Sequence, residues 1–310
     1  MLHRVSTVAL NGYRESVRAR VLIGLACVAF AVAFYSLIVG AYTLREAPRV
    51  VSDLGAAGMS LFSIAVAVAI SATTLHRELE QKTIMPVLAR PLRRTEYLVG
   101  KYLGTMLVVA VFIMADSGLV LMMCSALAGR SVSLVVGLGG GLVLSFLALA
   151  WRYPRVATFG PIALAGALFA LGLWACSIAP LEQNLLFSSA LLSFLEVGIV
   201  AAIATLFASF STPVLTTFFT CGLWILGRSA DSLTRLPAKF FGEAIHDAGV
   251  MLSKVVPNLH VYVPARPLLT GEALDANLPA YVGMGALHAM AWIVGLLACA
   301  SFIFKRRDFL

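Results

Sequence analysis

Two carboxylates lie inside apolar runs of the sequence, where ionisable side chains are rare. Asp116 falls within the run 102–128, and Glu196 falls within the run 185–210. A charge at the centre of a bilayer costs about 2.5–3.5 kcal/mol on insertion scales, so such residues usually face the interior of a helix bundle. Two interpretations stay open for both: a polar lining of a substrate path or a proton site, and a structural hydrogen bond between helices.

The other residues that could take part in catalysis or bind a metal do not form a recognisable enzyme site or metal site. The sequence contains no H-E-x-x-H motif, and the soft residues 122–124 (Met-Met-Cys) have no histidine or further cysteine near them. Gly100-Lys101 is followed by Tyr102, so it is not a nucleotide-binding P-loop, which needs Ser or Thr there. We therefore predict a non-catalytic chain that binds no metal and no cofactor of its own.

The composition indicates which elements must hold these residues. Of 310 residues, 60% are hydrophobic and only 12% are charged, about half the charge of a soluble domain. A soluble enzyme, a disordered chain and a disulfide scaffold are excluded on this basis. A membrane-spanning helix needs about 20 apolar residues. Eight runs come close to that length: 21–44, 54–75, 102–128, 132–151, 156–179, 185–210, 212–227 and 281–304. We predict an all-α polytopic membrane protein with a single transmembrane domain over residues 1–310.

The distribution of charge predicts the orientation. The net charge is +8, and the basic residues concentrate in the segments 1–20 and 76–101. Lys and Arg near the ends of spans favour the cytoplasmic side, so both termini are expected there. This distribution explains the excess of basic residues. We therefore expect membrane lipids around the chain and no nucleic acid as a partner.

Three polar segments have distinct patterns. Residues 1–20 carry apolar residues at helical spacing between basic ones, which is typical of an amphipathic helix on the membrane surface. The outer loop 228–280 contains an apolar stripe over 241–255 that predicts an interfacial helix. The loop 76–101 is too charged to span, and its apolar centre 83–88 is flanked by charges. That pattern suits either docking of a cytoplasmic partner or a basic loop that only sets topology.

Several motifs are spread over nearly the whole chain. The charged loop carries Arg77-Glu78, Glu80, Thr83-Ile84, Val87-Leu88, Arg90-Pro91 and Gly100-Lys101. The others are FLEVGIVAAIATLFASFSTPVLTTFFTCGLWILG at 194–227, VPNL at 256–259 and Arg307-Asp308. Together these motifs resemble those of ABC-2 type transporter permeases. Within that family, the chain is similar to a group that includes the permease of the copper-site maturation system of nitrous oxide reductase.

The resemblance implies a half-transporter, most typically an exporter, in the bacterial cytoplasmic (inner) membrane. Residues 1–20 would form the elbow helix, and the loop 76–101 would hold a coupling helix in a groove of a separate ABC ATPase. The residues implied in that contact are Glu78, Glu80, Thr83, Ile84, Val87, Leu88, Arg90 and Pro91. Two permease copies and two ATPase copies would form the working unit, with ATP and Mg bound by the ATPase. A periplasmic or lipoprotein accessory subunit is a further partner that this family admits.

The chain departs from the family pattern between its third span and the FLE segment. Residues 131–183 intervene there, which is enough for an inserted helix pair beside six family-like spans. Gly137-x-x-x-Gly141 in this pair has a spacing that lets helices pack closely. The alternative function is a proton-coupled secondary transporter that uses Asp116 and Glu196.

Overall fold

The computed structural model is a helical bundle, and it describes residues 2–18, 20–43, 46–80, 93–234, 255–270 and 278–306, with single residues between 247 and 253. The helices of the described part are α1 (Leu2–Val17), α2 (Arg20–Ala41), α3 (Ala47–Glu80), α4 (Arg94–Leu127), α5 (Val132–Arg152), α6 (Pro154–Ala175), α7 (Pro180–Ala208), α8 (Pro213–Arg228), α9 (Ala230–Thr234), α10 (Arg266–Thr270) and α11 (Leu278–Arg306). No strand occurs in these ranges.

Seven of the described helices are long and apolar enough to cross a membrane, which confirms an all-α polytopic membrane protein. They include α5 and α6, which form over the predicted helix pair 131–183. The predicted run 212–227 differs from the rest. It forms α8, whose 16 residues extend about 24 Å, less than the roughly 30 Å hydrocarbon core. Seven of the eight predicted runs thus form full-length spans, and the short run 212–227 forms a shorter helix.

The core of the bundle consists of α3, α4 and α7. More than half of the spanning residues in each of these helices are buried, whereas most of those in α2, α5, α6 and α11 are not. The buried side chains of the core are mainly small or β-branched residues such as those at 199–204 of α7. Close approach of helix backbones is a usual basis of packing between membrane helices. Ser60, Asp116 and Glu196 of the core helices are buried within this core.

Helix α1 packs directly against the beginning of α4. A Cβ atom added to Gly104 would lie 2.8 Å from the carbonyl oxygen of Ala9, and one added to Gly100 would lie 2.6 Å from the Cβ atom of Val8. Nearby, the ammonium group of Lys101 donates to the Glu15 carboxylate at 3.0 Å. α1, the predicted elbow helix, is therefore held against the core bundle.

Gly100-x-x-x-Gly104 is therefore a glycine pair at which two helices approach closely. Gly137 and Gly141, the pair that the sequence singled out, have open space at their Cβ positions within the described residues. The two pairs have the same spacing, so spacing alone does not distinguish them. Close packing also requires that a second helix crosses at the level of the glycines.

Both ends of the described chain lie at one end of the bundle. α1 packs on the first turns of α4, and Arg94 of α4 donates to the carbonyl oxygens of Phe304 and Lys305 at 3.4 and 3.0 Å. We call this the inner end, following the predicted topology, and the opposite end the outer end.

At the outer end, the chain after α8 folds back onto the bundle. Leu259 is fully buried, and a Cβ atom on Gly227 would lie 2.8 Å from the Pro257 carbonyl oxygen. The hydroxyl of Tyr262 donates to the Gly285 carbonyl oxygen at 3.0 Å, and burial raises the pKa of Tyr262 well above its usual value. The predicted interfacial helix over 241–255 lies largely outside the described residues.

Replacing Gly104 by leucine should detach α1 from α4. The new side chain would meet the backbone of α1, and overpacking of this kind destabilises by roughly 1–3 kcal/mol. We expect Gly104→Leu to lower the unfolding temperature of the purified protein in detergent. Gly137→Leu is the matched control, since its position is open. Equal unfolding temperatures for the two variants would contradict the close crossing of α1 and α4.

Candidate functional site

A buried ion pair joins three helices in the interior of the bundle. Glu196 of α7 is completely buried, and its carboxylate accepts hydrogen bonds from Nε and Nη2 of Arg228 at 2.8 and 2.9 Å. The indole N–H of Trp224 donates to the same carboxylate at 3.1 Å. Ser60 of α3 accepts from Arg228 Nη2 at 2.7 Å and lies 3.4 Å from the carboxylate as a donor. These four residues, Ser60, Glu196, Trp224 and Arg228, form what we call the polar centre.

The short length of α8 positions Arg228 within the polar centre. α7 ends at Ala208 and α8 begins at Pro213, so the chain reverses direction in a tight turn. From that turn, Glu196 lies 12 residues back from the end of α7, about 18 Å along the helix. Arg228 is the last residue of α8, about 22 Å from the start of that helix. Both residues are therefore at a similar depth, and α8 ends where its cation meets the carboxylate.

The polar centre is electrically balanced. The guanidinium of Arg228 also lies 5.5 Å from the centre of the Trp224 ring, within the range of a cation–π interaction. The Arg228 side chain is 30% exposed, whereas the Glu196 side chain has no exposure. A buried charge is tolerated when it is paired and its remaining hydrogen-bonding capacity is satisfied. The charge of Glu196 is satisfied by protein groups alone.

The second predicted carboxylate, Asp116, lies apart from this network. It is 2% exposed in α4, and within the described residues its Oδ1 atom has no hydrogen-bond partner. One turn further along the same helix face, Val120 packs against Gly55 of α3. Asp116 therefore lies on the α3 side of α4. The structure separates the two predicted residues into a paired one and one whose buried oxygen is unsatisfied.

The implied ATPase-contact residues are only partly within the described chain. Glu78 and Glu80 lie in the last turns of α3, where the backbone is described and the side chains are not. Thr83, Ile84, Val87, Leu88, Arg90 and Pro91 lie outside the described residues. The role of all eight residues stays a prediction.

The helices on either side of this loop are long and held firmly. α3 and α4 have 34 residues each, about 51 Å, so each exceeds the thickness of the hydrocarbon core. At the start of α4, Glu96 accepts a hydrogen bond from the backbone N–H of Arg93 at 3.1 Å. The rings of Tyr97 and Phe304 stack with centroids 6.3 Å apart. The beginning of α4 is therefore fixed to α1 on one side and to α11 on the other.

The polar centre contains residues that the sequence analysis did not bring together. Glu196 was singled out, but Arg228 was assigned to the outer loop 228–280. A signal was present: the run 212–227 is shorter than a span, and an arginine follows it directly. The described residues contain no group of three or more His, Cys, Asp or Glu side chains that could hold a metal ion. The absence of a bound metal stays a prediction.

Comparison with known proteins supplies the context for this architecture. The model of the family described as ABC-2 family transporter protein matches residues 6–309, almost the whole chain. The matched range includes the helix pair 131–183, so it does not set that pair apart as an insertion. Among curated proteins, none matches this sequence. The finer similarity to the permease of the nitrous oxide reductase system stays a prediction.

Removing the charge of Glu196 should destabilise the bundle. Glu196→Gln would leave Arg228 without its counterion, and breaking a buried ion pair typically costs about 3–5 kcal/mol. We expect a loss near the lower figure, because the Arg228 side chain is partly exposed. The double variant Glu196→Gln/Arg228→Gln should recover part of the loss, as measured by unfolding in detergent.

The matched control is Glu46→Gln, which disrupts the exposed pair Glu46–Arg49. Exposed pairs contribute about 0–1 kcal/mol, so this variant should unfold like the wild type. If Glu196→Gln were as stable as Glu46→Gln, the ion pair would not support the bundle.

Proposed function

The chain belongs to the ABC-2 transporter family and so is a permease subunit of an ABC transporter, and from this premise we propose that it serves an ATP-driven exporter. In this proposal it lies in the bacterial cytoplasmic membrane. Two copies form the translocation path, and two copies of a separate ABC ATPase bind at the inner end. The apolar helix surfaces suit lipids, lipopeptides or other amphiphiles as substrates.

The observation that carries this proposal is the geometry of α3 and α4. Both helices run without interruption from the inner end, where the segment 81–92 connects them, through the core. Ser60 of α3 contacts the polar centre, so α3 joins the connecting segment to α7 and α8. A displacement of the connecting segment by an ATPase would therefore act on the core helices over a distance of several turns.

The start of α4 supports the same mechanism. α1, α4 and α11 are linked there by the Lys101–Glu15 ion pair and by the hydrogen bonds of Arg94 to the end of α11. A force applied to the connecting segment would move these three helices together. ATP hydrolysis would thus move two bodies: α3 on one side of the connecting segment, and α1, α4 and α11 together on the other.

In this proposal, the energy for transport comes from ATP that a separate partner subunit hydrolyses. The sequence has no P-loop, as shown by Tyr102 after Gly100-Lys101. ATP and Mg would be bound by the ATPase, and this chain would bind no cofactor. An accessory subunit at the outer end, periplasmic or lipoprotein, is compatible with the same arrangement.

The second candidate is a proton-coupled secondary transporter, and the unsatisfied Oδ1 atom of Asp116 favours it. Glu196 argues against it. Its carboxylate already accepts hydrogen bonds from Arg228, Trp224 and Ser60, which suits a structural anchor rather than a group that binds and releases a proton in each cycle.

A liposome experiment separates the two candidates. We expect the purified chain, reconstituted without an ATPase, to show no flux of a fluorescent phospholipid or lipopeptide probe driven by a pH gradient. Flux of such a probe under a pH gradient alone, abolished by Asp116→Asn, would establish the secondary transporter and contradict the ABC mechanism.

Reversal of the charge of Glu80, the last residue of α3 before the connecting segment, tests the coupling. Glu80→Arg should still insert into the membrane but should lower ATP-driven transport at least tenfold, because it would disturb the contact with the ATPase. Transport and ATP hydrolysis are measured together in vesicles that contain both subunits. Arg155→Glu, in the other loop predicted on the same side, is the control and should transport normally. Normal transport by Glu80→Arg would overturn this assignment of the loop.

A further inference from the structure

A cavity of about 590 Å³ opens at the outer end of the bundle. It lies between the start of α3, the turn that joins α6 to α7, and α10. Its volume falls within the range of small-molecule sites, about 300–1,000 Å³. The polar centre and the loop 76–101 do not contribute to its lining, so the cavity is separate from the features already assigned to transport.

The cavity is lined by charges of both signs. Arg266 of α10 forms ion pairs with Asp53 of α3 and, at 3.4 Å, with Glu182 of α7, which fixes one wall. Beside them at the start of α3, Arg49 and Glu46 form a second ion pair at 3.3 Å, and their side chains are 56% and 62% exposed. Among the described lining residues, Arg49 and Arg266 are basic and Glu46 and Glu182 are acidic. Such a surface matches a ligand that carries a cation and an anion close together.

One side of the cavity is apolar and exposed. Ile178 and Leu181 line it and are 48% and 41% exposed. Further along α7, the exposed side chains of Phe187 and Leu191 line a second cavity of about 200 Å³, shared with α4 and α6. From Leu181 to Leu191 the distance along the helix is about 15 Å, half the hydrocarbon thickness and so the depth of one leaflet.

We propose that the outer cavity binds a glycerophospholipid of the outer leaflet through a zwitterionic ethanolamine-phosphate head group. The phosphate lies against Arg49, and the ammonium group lies against Glu46 and Glu182. The acyl chains follow the apolar side past Leu181 toward the second cavity. This site goes beyond the proposed function, because it depends on neither the cargo nor the direction of transport.

The chemistry of the lining distinguishes this ligand from other lipids. A head group with only a negative charge would draw Arg49 away from Glu46 and would bring no cation to replace it, whereas an ethanolamine head group supplies its own ammonium group. A primary ammonium group donates hydrogen bonds to carboxylates, and such charge-assisted bonds are stronger than neutral ones. A selective preference for ethanolamine over glycerol head groups therefore follows from the lining.

The experiment measures binding of short-chain lipids to the delipidated full chain in detergent. The probes are dihexanoyl phosphatidylethanolamine, dihexanoyl phosphatidylglycerol and free phosphoethanolamine, each titrated by native mass spectrometry. We expect the ethanolamine lipid to bind at least tenfold more tightly than the glycerol lipid. Free phosphoethanolamine should bind at least tenfold more weakly than the ethanolamine lipid, because it lacks the apolar chains.

Two variants test the assigned roles. Arg49→Gln should weaken binding of the ethanolamine lipid at least fivefold. Glu46→Gln should reduce the difference in affinity between the ethanolamine lipid and the glycerol lipid. Both side chains are largely exposed, so the fold should persist, as checked by the unfolding temperature. Arg155→Gln, an exposed arginine at the inner end, is the control and should bind like the wild type.

Three results would overturn the proposal. The first is equal affinity of the wild type for the two lipids. The second is unchanged binding in both lining variants. The third is equal affinity for free phosphoethanolamine and the ethanolamine lipid, which would assign the cavity to a soluble head group rather than to a membrane lipid.

Discussion

The arrangement of this bundle depends on placing one negative charge, that of Glu196, inside a membrane protein. A carboxylate without exposure must find a cation and further donors within the protein, since an uncompensated charge in an apolar medium is strongly unfavourable. Arg228, Trp224 and Ser60 meet that requirement from two other helices. The ion pair therefore fixes the relative depth of α3, α7 and α8.

Several other features follow from this constraint. Because Arg228 must reach Glu196, α8 ends within the bundle rather than at its outer surface. The chain that continues from α8 then folds back, with Leu259 buried against the helices and Tyr262 bonded to α11. The same constraint joins α3 to the core, so the helix that leads into the proposed ATPase contact also reaches the polar centre. In the proposed mechanism, the residues that satisfy the charge of Glu196 would therefore also couple α3 to α7 and α8.

The sequence was sufficient for the fold class and for most helices, because long apolar runs are local features. It also singled out Glu196 as an unusual residue. It did not reveal Arg228 as the partner, because a topology count assigns every residue beyond a run to a loop. It singled out Gly137-x-x-x-Gly141, whereas the close approach to α1 occurs at Gly100 and Gly104. Contacts such as Ser60 with Glu196, 136 positions apart, depend on the relative heights of helices, which hydropathy does not specify.

The central claim is that the polar centre transmits movement of α3 to α7 and α8. Ser60→Ala tests it most directly, because it removes the hydroxyl through which α3 contacts the ion pair and leaves the pair itself intact. The measurement is the number of substrate molecules transported per ATP hydrolysed, in vesicles that contain the permease and its ATPase. The account predicts normal assembly and ATP hydrolysis with a several-fold lower ratio. An unchanged ratio would contradict it.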